Sequence, residues 1–85
     1  MGLEPTIRPT TECEIKENGN WIKVTVAEAL EIQGQKRCIS CHGPVRAHRA
    51  GIGRAHIEHL RRHSGCPRSD AYDGRGITLH PYALD

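Results

Sequence analysis

Apolar and polar residues alternate on both sides of the dipeptide Asn18-Gly19. Asn-Gly is the preferred pair of a two-residue type I′ turn, which joins neighbouring strands of a β-hairpin. Closing the hairpin at this turn places Cys13 opposite Val24, on the same face as Ile15. The pattern therefore predicts a hairpin with one apolar face. Cys13 is expected to be a small core residue of that face, because free cysteine usually behaves as a small apolar side chain.

A short helix is predicted directly after the hairpin, over residues 26–33. Thr25 and Glu28 have the spacing of a capping box, in which each side chain binds a backbone N–H that the first turn of the helix leaves free. Apolar residues then recur at helical intervals. Gly34 supplies the residue that commonly ends a helix.

A second helix is predicted over residues 55–63. Gly65 and a proline two residues later are typical of the end of a helix. At 100° per residue, His56, His59 and His63 would share one face of this helix. The pattern thus predicts a histidine-bearing helical face in the second half of the chain.

The length of 85 residues leaves room for one domain. With 36% apolar residues, no Phe and one Trp, burial alone gives a marginal core, so a further stabilising element is expected. No apolar run has the length of a membrane span or signal peptide, which predicts a cytoplasmic protein that does not enter a membrane. The predicted fold is small α+β, with an N-terminal hairpin and a short helix followed by a treble-clef-like or ribbon-like zinc finger. The predicted parts are a flexible tail (1–11) and one zinc-binding domain (12–85). The domain consists of hairpin and helix (12–35), zinc finger (36–68) and a C-terminal tail (69–85) with a strand candidate at 77–79.

The zinc finger is predicted from the knuckle Cys38-Ile-Ser-Cys41-His-Gly43. Two residues between cysteines form a tight turn that lets both sulfurs face one ion, and Gly43 permits the backbone angle that follows. A redox pair would instead need a helix that starts at the first cysteine, and the Gly-Pro sequence after His42 prevents one. The pair therefore predicts a metal site.

The remaining ligands must come from further along the chain, and His59 and Cys66 are the predicted pair. With His59 on the predicted helix and Cys66 just past its end, both side chains can reach the knuckle. His56 and His63, on the same predicted face, stay open as alternatives to His59. Three cysteines and one histidine are a common closed zinc set, without an open position for catalytic water. We expect one structural Zn²⁺, held by Cys38, Cys41, His59 and Cys66.

The knuckle, followed by Ala55-His56-Ile-Glu58-His59 and Cys66, resembles the zinc finger of small uncharacterised bacterial proteins and the N-terminal finger of CoiA-type competence proteins. The resemblance covers about residues 37–68. The nuclease-like domain of CoiA-type proteins has no counterpart here, so it implies no DNA-processing activity. The ligand spacing is also similar to that of BIR domains, which implies the same ligand geometry with His59 on a helix. The aromatic residues of the BIR peptide groove have no counterparts.

Positive charge is concentrated around the predicted metal site. The net charge is +2, but residues 36–68 hold eight Lys or Arg against one acid. Arginine suits phosphate because its planar guanidinium donates two parallel hydrogen bonds. This segment predicts a nucleic-acid-binding surface, or a regulatory role, for Arg37, Arg46, Arg49, Arg54, Arg61 and Arg62.

Two other classes of function stay open from the sequence. In the first, the basic surface binds an acidic protein, and the chain is an adaptor. In the second, the chain is an HNH-like nuclease with His56 or His80 as general base, but the further Asn and His of such a site have no recognisable match. We expect no enzyme activity and no small-molecule substrate.

Overall fold

A computed structural model describes residues 11–50, 54–69 and 71–85, so the predicted tail lies outside it except for Thr11. The described part is mostly β, with one five-stranded antiparallel sheet in the order β2-β1-β3-β4-β5 and one short helix. The elements are β1 (Glu12–Glu17), β2 (Asn20–Thr25), α1 (Val26–Glu31), β3 (Lys36–Arg37), β4 (Pro44–Ala50) and β5 (Arg54–His59).

The hairpin of β1 and β2 forms in the predicted register. Cys13 pairs with Val24, and Ile15 pairs with Ile22 on β2. The turn residues Asn18 and Gly19 have φ angles of 51° and 82°, as both central residues of a type I′ turn require. Cys13, Ile15 and Val24 are buried, which confirms the predicted apolar face.

Helix α1 begins where its capping box predicts and ends two residues early. The Thr25 side chain accepts a hydrogen bond from Glu28 N at 3.2 Å, and Glu28 Oε1 accepts one from Thr25 N at 2.9 Å. The helix ends at Glu31, with Ile32 as C-cap. Gly34, at φ +112°, lies beyond that end and turns the chain toward β3.

Replacing Thr25 by alanine is expected to lower the free energy of unfolding by about 1 kcal/mol, because the helix then loses the side-chain acceptor at its N-terminus. Urea denaturation followed by circular dichroism measures the change. Thr25→Ser is the matched control, since it keeps the hydroxyl and should retain most of the stability. Equal midpoints for Thr25→Ala and the wild type would contradict a stabilising role for the cap.

The predicted helix over residues 55–63 is wrong, because residues 54–59 form strand β5, paired with β4. In a strand, successive side chains point to opposite faces, so Ile57 and His59 face the core side while His56 faces the other. Ile57 is 3% exposed and lies opposite Ala47, and α1 packs against both strands. Burial of the alternating residues of β5 therefore decides the structure of this segment, in spite of the sequence signals near Gly65 that are typical of the end of a helix.

The rest of the second half also differs from the sequence prediction. Of the two predicted forms of the finger, the treble clef is not confirmed, because it carries ligands on a helix and the structure places His59 on a strand and Cys66 in a loop. The strand candidate at 77–79 is wrong as well, since those residues form no strand and Ile77 and Leu79 are more than half exposed. With no apolar partner across from them, these side chains gain little from pairing.

The core is small, and cysteines make up much of it. Among the described residues it consists of Cys13, Ile15, Val24, Ala29, Cys38, Cys41, Val45, Ile57 and Cys66. Four of these nine are cysteines. Three of the four, Cys38, Cys41 and Cys66, lie outside the hairpin and α1, so the packing of that part of the chain depends on them.

Candidate metal centre

The segment from Cys38 to Gly43 forms a tight knuckle between β3 and β4. Cys38 N donates to Gly43 O at 2.9 Å, and His42 N donates to Cys38 O at 3.0 Å. Ser40 N and Gly43 N point at the sulfurs of Cys38 and Cys41, at 3.3 and 3.4 Å. Backbone N–H groups aimed at both sulfurs favour their thiolate forms.

The β4–β5 ribbon and the loop after it bring two further donors to the knuckle. His59 ends β5 opposite Val45, which lies two residues after the knuckle, and its Nε2 lies 3.4 Å from Cys41 Sγ. The loop after β5 brings Cys66 Sγ to 3.6 Å from Cys38 Sγ. The structure therefore brings together the four residues that the spacing selected.

The geometry of this cluster is compatible with a single metal ion. The donor atoms of Cys38, Cys41, His59 and Cys66 all lie within 4.8 Å of one another. Around a tetrahedral zinc ion, with Zn–S of about 2.3 Å and Zn–N of about 2.0–2.1 Å, donor atoms are about 3.5–3.8 Å apart. The separations of 3.6 and 3.4 Å lie close to this range. The three sulfur donors are fully buried.

Protons are shared unequally within the cluster. Hydrogen bonds from Cys41 and Cys66 lower the pKa of Cys38, whereas the neighbouring Cys38 sulfur raises the pKa of Cys41. Burial disfavours a charged His59, but hydrogen bonds to the Cys38 and Cys66 sulfurs outweigh it and raise the His59 pKa to about 9. Both directions favour a charged pair, with a thiolate at Cys38 and an imidazolium at His59.

Metal binding is expected to weaken as the pH falls, because an ion can bind only the neutral imidazole of His59. The proton stabilises the ion-free fold below the ordinary histidine pKa, and this contribution is lost as pH rises through about 9. Below that value the imidazole proton and the proton of the Cys41 thiol, whose pKa is also raised, must both be displaced, so the apparent association constant falls by at least about tenfold per pH unit. Competition with a chromophoric chelator at several pH values measures the slope. An association constant that does not change with pH, after correction for the chelator's own titration, would contradict this prediction.

The alternative histidine ligands lie outside the cluster. His56 faces the opposite side of the sheet, where its Nε2 lies 3.8 Å from Glu58. The ring of His63 is 3.0 Å from the carbonyl oxygen of Thr78. Of the histidines that the spacing offered, only His59 joins the described cluster.

His80 is a buried neighbour of the site that the sequence did not indicate in this role. Its backbone N donates to Cys41 O at 2.9 Å. Its Nδ1 accepts from Tyr82 N at 2.8 Å, so Nε2 carries the hydrogen and donates to Arg61 O at 3.1 Å. His80 thereby ties the C-terminal segment to the knuckle and to the loop after β5. The one available signal in the sequence was Gly43, because His80 lies where a side chain at position 43 would be. A glycine has many other uses, so this signal does not identify His80.

The six predicted phosphate-binding arginines fall into three groups. Arg37 lies within the protein, where it pairs with Glu14 at 2.6 Å and stacks on Trp21 with its guanidinium carbon 4.2 Å from the ring centroid. The side chain of Arg54 lies outside the described part of the chain. The exposed group consists of Arg46, Arg49, Arg61 and Arg62. Arg37 is therefore removed from the candidate surface.

Arg46 and Arg61 each contact a neighbouring side chain. Arg46 Nη2 lies 3.1 Å from Glu58 Oε2, and the Arg46 side chain is 58% exposed. Arg61 lies over the ring of Tyr82, at 4.9 Å from its centroid. Both contacts are at the surface, so both guanidinium groups keep faces that solvent can reach.

Comparison with known proteins places the chain in a family. A protein-family profile matches residues 5–85. An uncharacterized protein of Azorhizobium caulinodans is 46% identical over 80 residues, which cover 87% of this chain and 95% of that protein. The chain belongs to this family of small proteins. No solved structure matches it.

None of the described residues lies in a helix with the length and apolar content that crossing a membrane requires. The predicted cytoplasmic location stays a prediction.

Proposed function

We propose that this protein binds one structural Zn²⁺ through Cys38, Cys41, His59 and Cys66. The convergence of three buried sulfurs and one imidazole nitrogen within 4.8 Å carries this proposal. Zinc has no geometric preference of its own and accepts this sulfur-rich tetrahedral set, whereas magnesium and calcium prefer oxygen donors. All four positions are filled by protein, so the ion supports the fold and does not activate water.

Native mass spectrometry of the purified full chain tests the zinc assignment. One zinc per chain is expected, and a strong chelator should remove it with loss of the near-ultraviolet circular dichroism. His59→Gln should lower zinc content sharply, while His63→Gln, a change at a histidine outside the cluster, should retain it. A chain that purifies without zinc and takes up none in a titration would overturn the proposal.

The exposed arginines of residues 36–68 are proposed to contact the phosphates of nucleic acid. This rests on the excess of eight basic residues over one acid in residues 36–68, and on the exposure of Arg46, Arg49, Arg61 and Arg62. Such charge attracts polyanions without requiring base recognition. Residues 36–68 contain no Phe, Trp or Tyr, so contact with the backbone is favoured over stacking on bases.

Binding of a short DNA duplex of arbitrary sequence, measured at several salt concentrations, tests this surface. Each phosphate contact contributes about 0.9 to the slope of log affinity against log salt. The variant Arg49→Gln/Arg62→Gln should therefore lose affinity and reduce the slope by roughly 2. Lys23→Gln is the matched control, because Lys23 is exposed on β2, at the opposite edge of the sheet.

The outcomes separate the classes of function. No binding at low salt would overturn the nucleic-acid proposal and favour an adaptor that binds an acidic protein. Magnesium-dependent cleavage of the duplex that His56→Ala abolishes, with zinc retained, would instead identify an enzyme and overturn the proposal of a purely binding role.

A further inference from the structure

A histidine pair lies on the face of the β4–β5 ribbon that points away from the Cys/His cluster. His48 and His56 are direct partners in the antiparallel register, so their side chains project side by side. Their ring centroids are 5.3 Å apart, with the rings edge to face at 79°. His59 projects from the other face of β5, so this pair is separate from the proposed zinc site.

The separation of the two rings matches that of two imidazoles on one ion. With a metal–nitrogen distance of about 2.0–2.1 Å, the centroid of a bound imidazole lies about 3.2 Å from the metal. Two such rings at the tetrahedral angle have centroids about 5.2 Å apart. His48 and His56 stand at 5.3 Å, so their rings already have the spacing that a shared ion requires, and rotation of the two partly exposed side chains would aim a nitrogen from each at that ion.

Glu58 adds a third donor on the same face. It follows His56 by two residues, and its Oε1 lies 3.8 Å from His56 Nε2. The other oxygen, Oε2, is held by Arg46 at 3.1 Å. This contact fixes the carboxylate beside the ring, while the positive charge of Arg46 opposes a cation and keeps the affinity moderate.

The geometry points to a second metal site, in which His48, His56 and Glu58 bind a divalent transition-metal ion from solution. The site differs in kind from the buried cluster. The side chains of His56 and Glu58 are 42% and 31% exposed, so water can fill the remaining positions of the ion. Two imidazoles and one carboxylate suit Zn²⁺, Ni²⁺ and Cu²⁺ better than Mg²⁺ or Ca²⁺, with affinity rising from Ni²⁺ to Cu²⁺.

Titration of the zinc-loaded full chain with Ni²⁺ tests this site. Native mass spectrometry should show one bound nickel in addition to the resident zinc, with micromolar affinity. In NMR spectra, the paramagnetic Ni²⁺ should broaden the imidazole signals of His48 and His56 before that of His63. His48→Gln and His56→Gln should each weaken nickel binding at least about tenfold, because each removes one of the two imidazole donors and leaves a single imidazole with Glu58.

Glu58→Gln tests the third donor, with Glu31→Gln as a matched exposed carboxylate at the end of α1. Nickel affinity should fall in Glu58→Gln and stay unchanged in Glu31→Gln. The second site is overturned if no nickel binds beyond the zinc, or if binding persists in a His48→Gln/His56→Gln chain. Zinc content, read in the same spectra, reports separately on the Cys/His cluster, so failure of one site is distinguishable from failure of the other.

Discussion

Replacing Cys38 or Cys66 by serine is expected to abolish cooperative thermal unfolding of this protein. A structural zinc contributes about 10 kcal/mol of binding free energy to the folded state. Small domains have a net stability of about 5–15 kcal/mol, so the loss of one ligand removes most of the margin. The expected result is a chain without bound zinc and without a sigmoidal transition in circular dichroism, measured together with metal content.

Cys13→Ala is the matched control for this prediction. Cys13 is as buried as the cluster cysteines but belongs to the hairpin core, and it is not a member of the cluster. Its burial also raises the pKa of the thiol, which keeps it a neutral core group. This variant should keep its zinc and lose only about 1 kcal/mol, for a small cavity. Equal losses in Cys13→Ala and Cys38→Ser would show that the cysteines act by packing alone.

Gly43→Ala is expected to destabilise the protein by about 3 kcal/mol, in the upper range for overpacking. A Cβ at this position would lie 2.9 Å from His80 Cβ and closer still to two atoms of the imidazole ring. The ring cannot move aside without breaking its hydrogen bonds to Tyr82 and Arg61. Chemical denaturation of the zinc-loaded protein measures the loss.

A double-mutant cycle with His80→Ala shows whether that contact is the cause. Removing the imidazole makes room for the new methyl group, so Gly43→Ala should cost at least about 1 kcal/mol less in the His80→Ala background than in the wild type. The same cost in both backgrounds would mean that the backbone of the knuckle, and not the ring of His80, rejects a side chain at position 43.

The parts of the fold that short-range patterns determine were predicted well. The β1–β2 hairpin follows from two turn residues that tolerate positive φ and from the alternation beside them. The start of α1 follows from Thr25 and Glu28, which satisfy each other's backbone groups. In both cases the deciding interactions lie within a few residues, so the local sequence contains them.

Strand β5 was predicted wrongly because two periodicities compete in the same residues. His56, His59 and His63 fit a helical face, while Ala55, Ile57 and His59 fit alternation. Glycines at positions 51 and 53, between two alternating segments, were the signal for a hairpin. Burial of Ile57 against a distant helix decides the outcome, and that contact is not visible in a short window.

The cluster residues were selected correctly even though their predicted setting was wrong. Donor type and the tight knuckle single out Cys38 and Cys41 in any fold, and the chain must return to them for two more donors. A strand paired back onto β4 returns His59 as effectively as the predicted helix. The role of His80 could not be predicted, because Arg61 and Cys41, the partners that tie it to the site, are 19 and 39 residues away in the chain.

The stacking of Arg37 on Trp21 makes tryptophan fluorescence a suitable probe of this protein. Trp21 is the single tryptophan of the chain, and its indole ring lies under a guanidinium whose residue directly precedes Cys38. Any loosening of the knuckle shifts Arg37 and so changes the charge and hydration beside the fluorophore. Emission from this one indole is therefore expected to follow the state of the Cys/His cluster, without an added label.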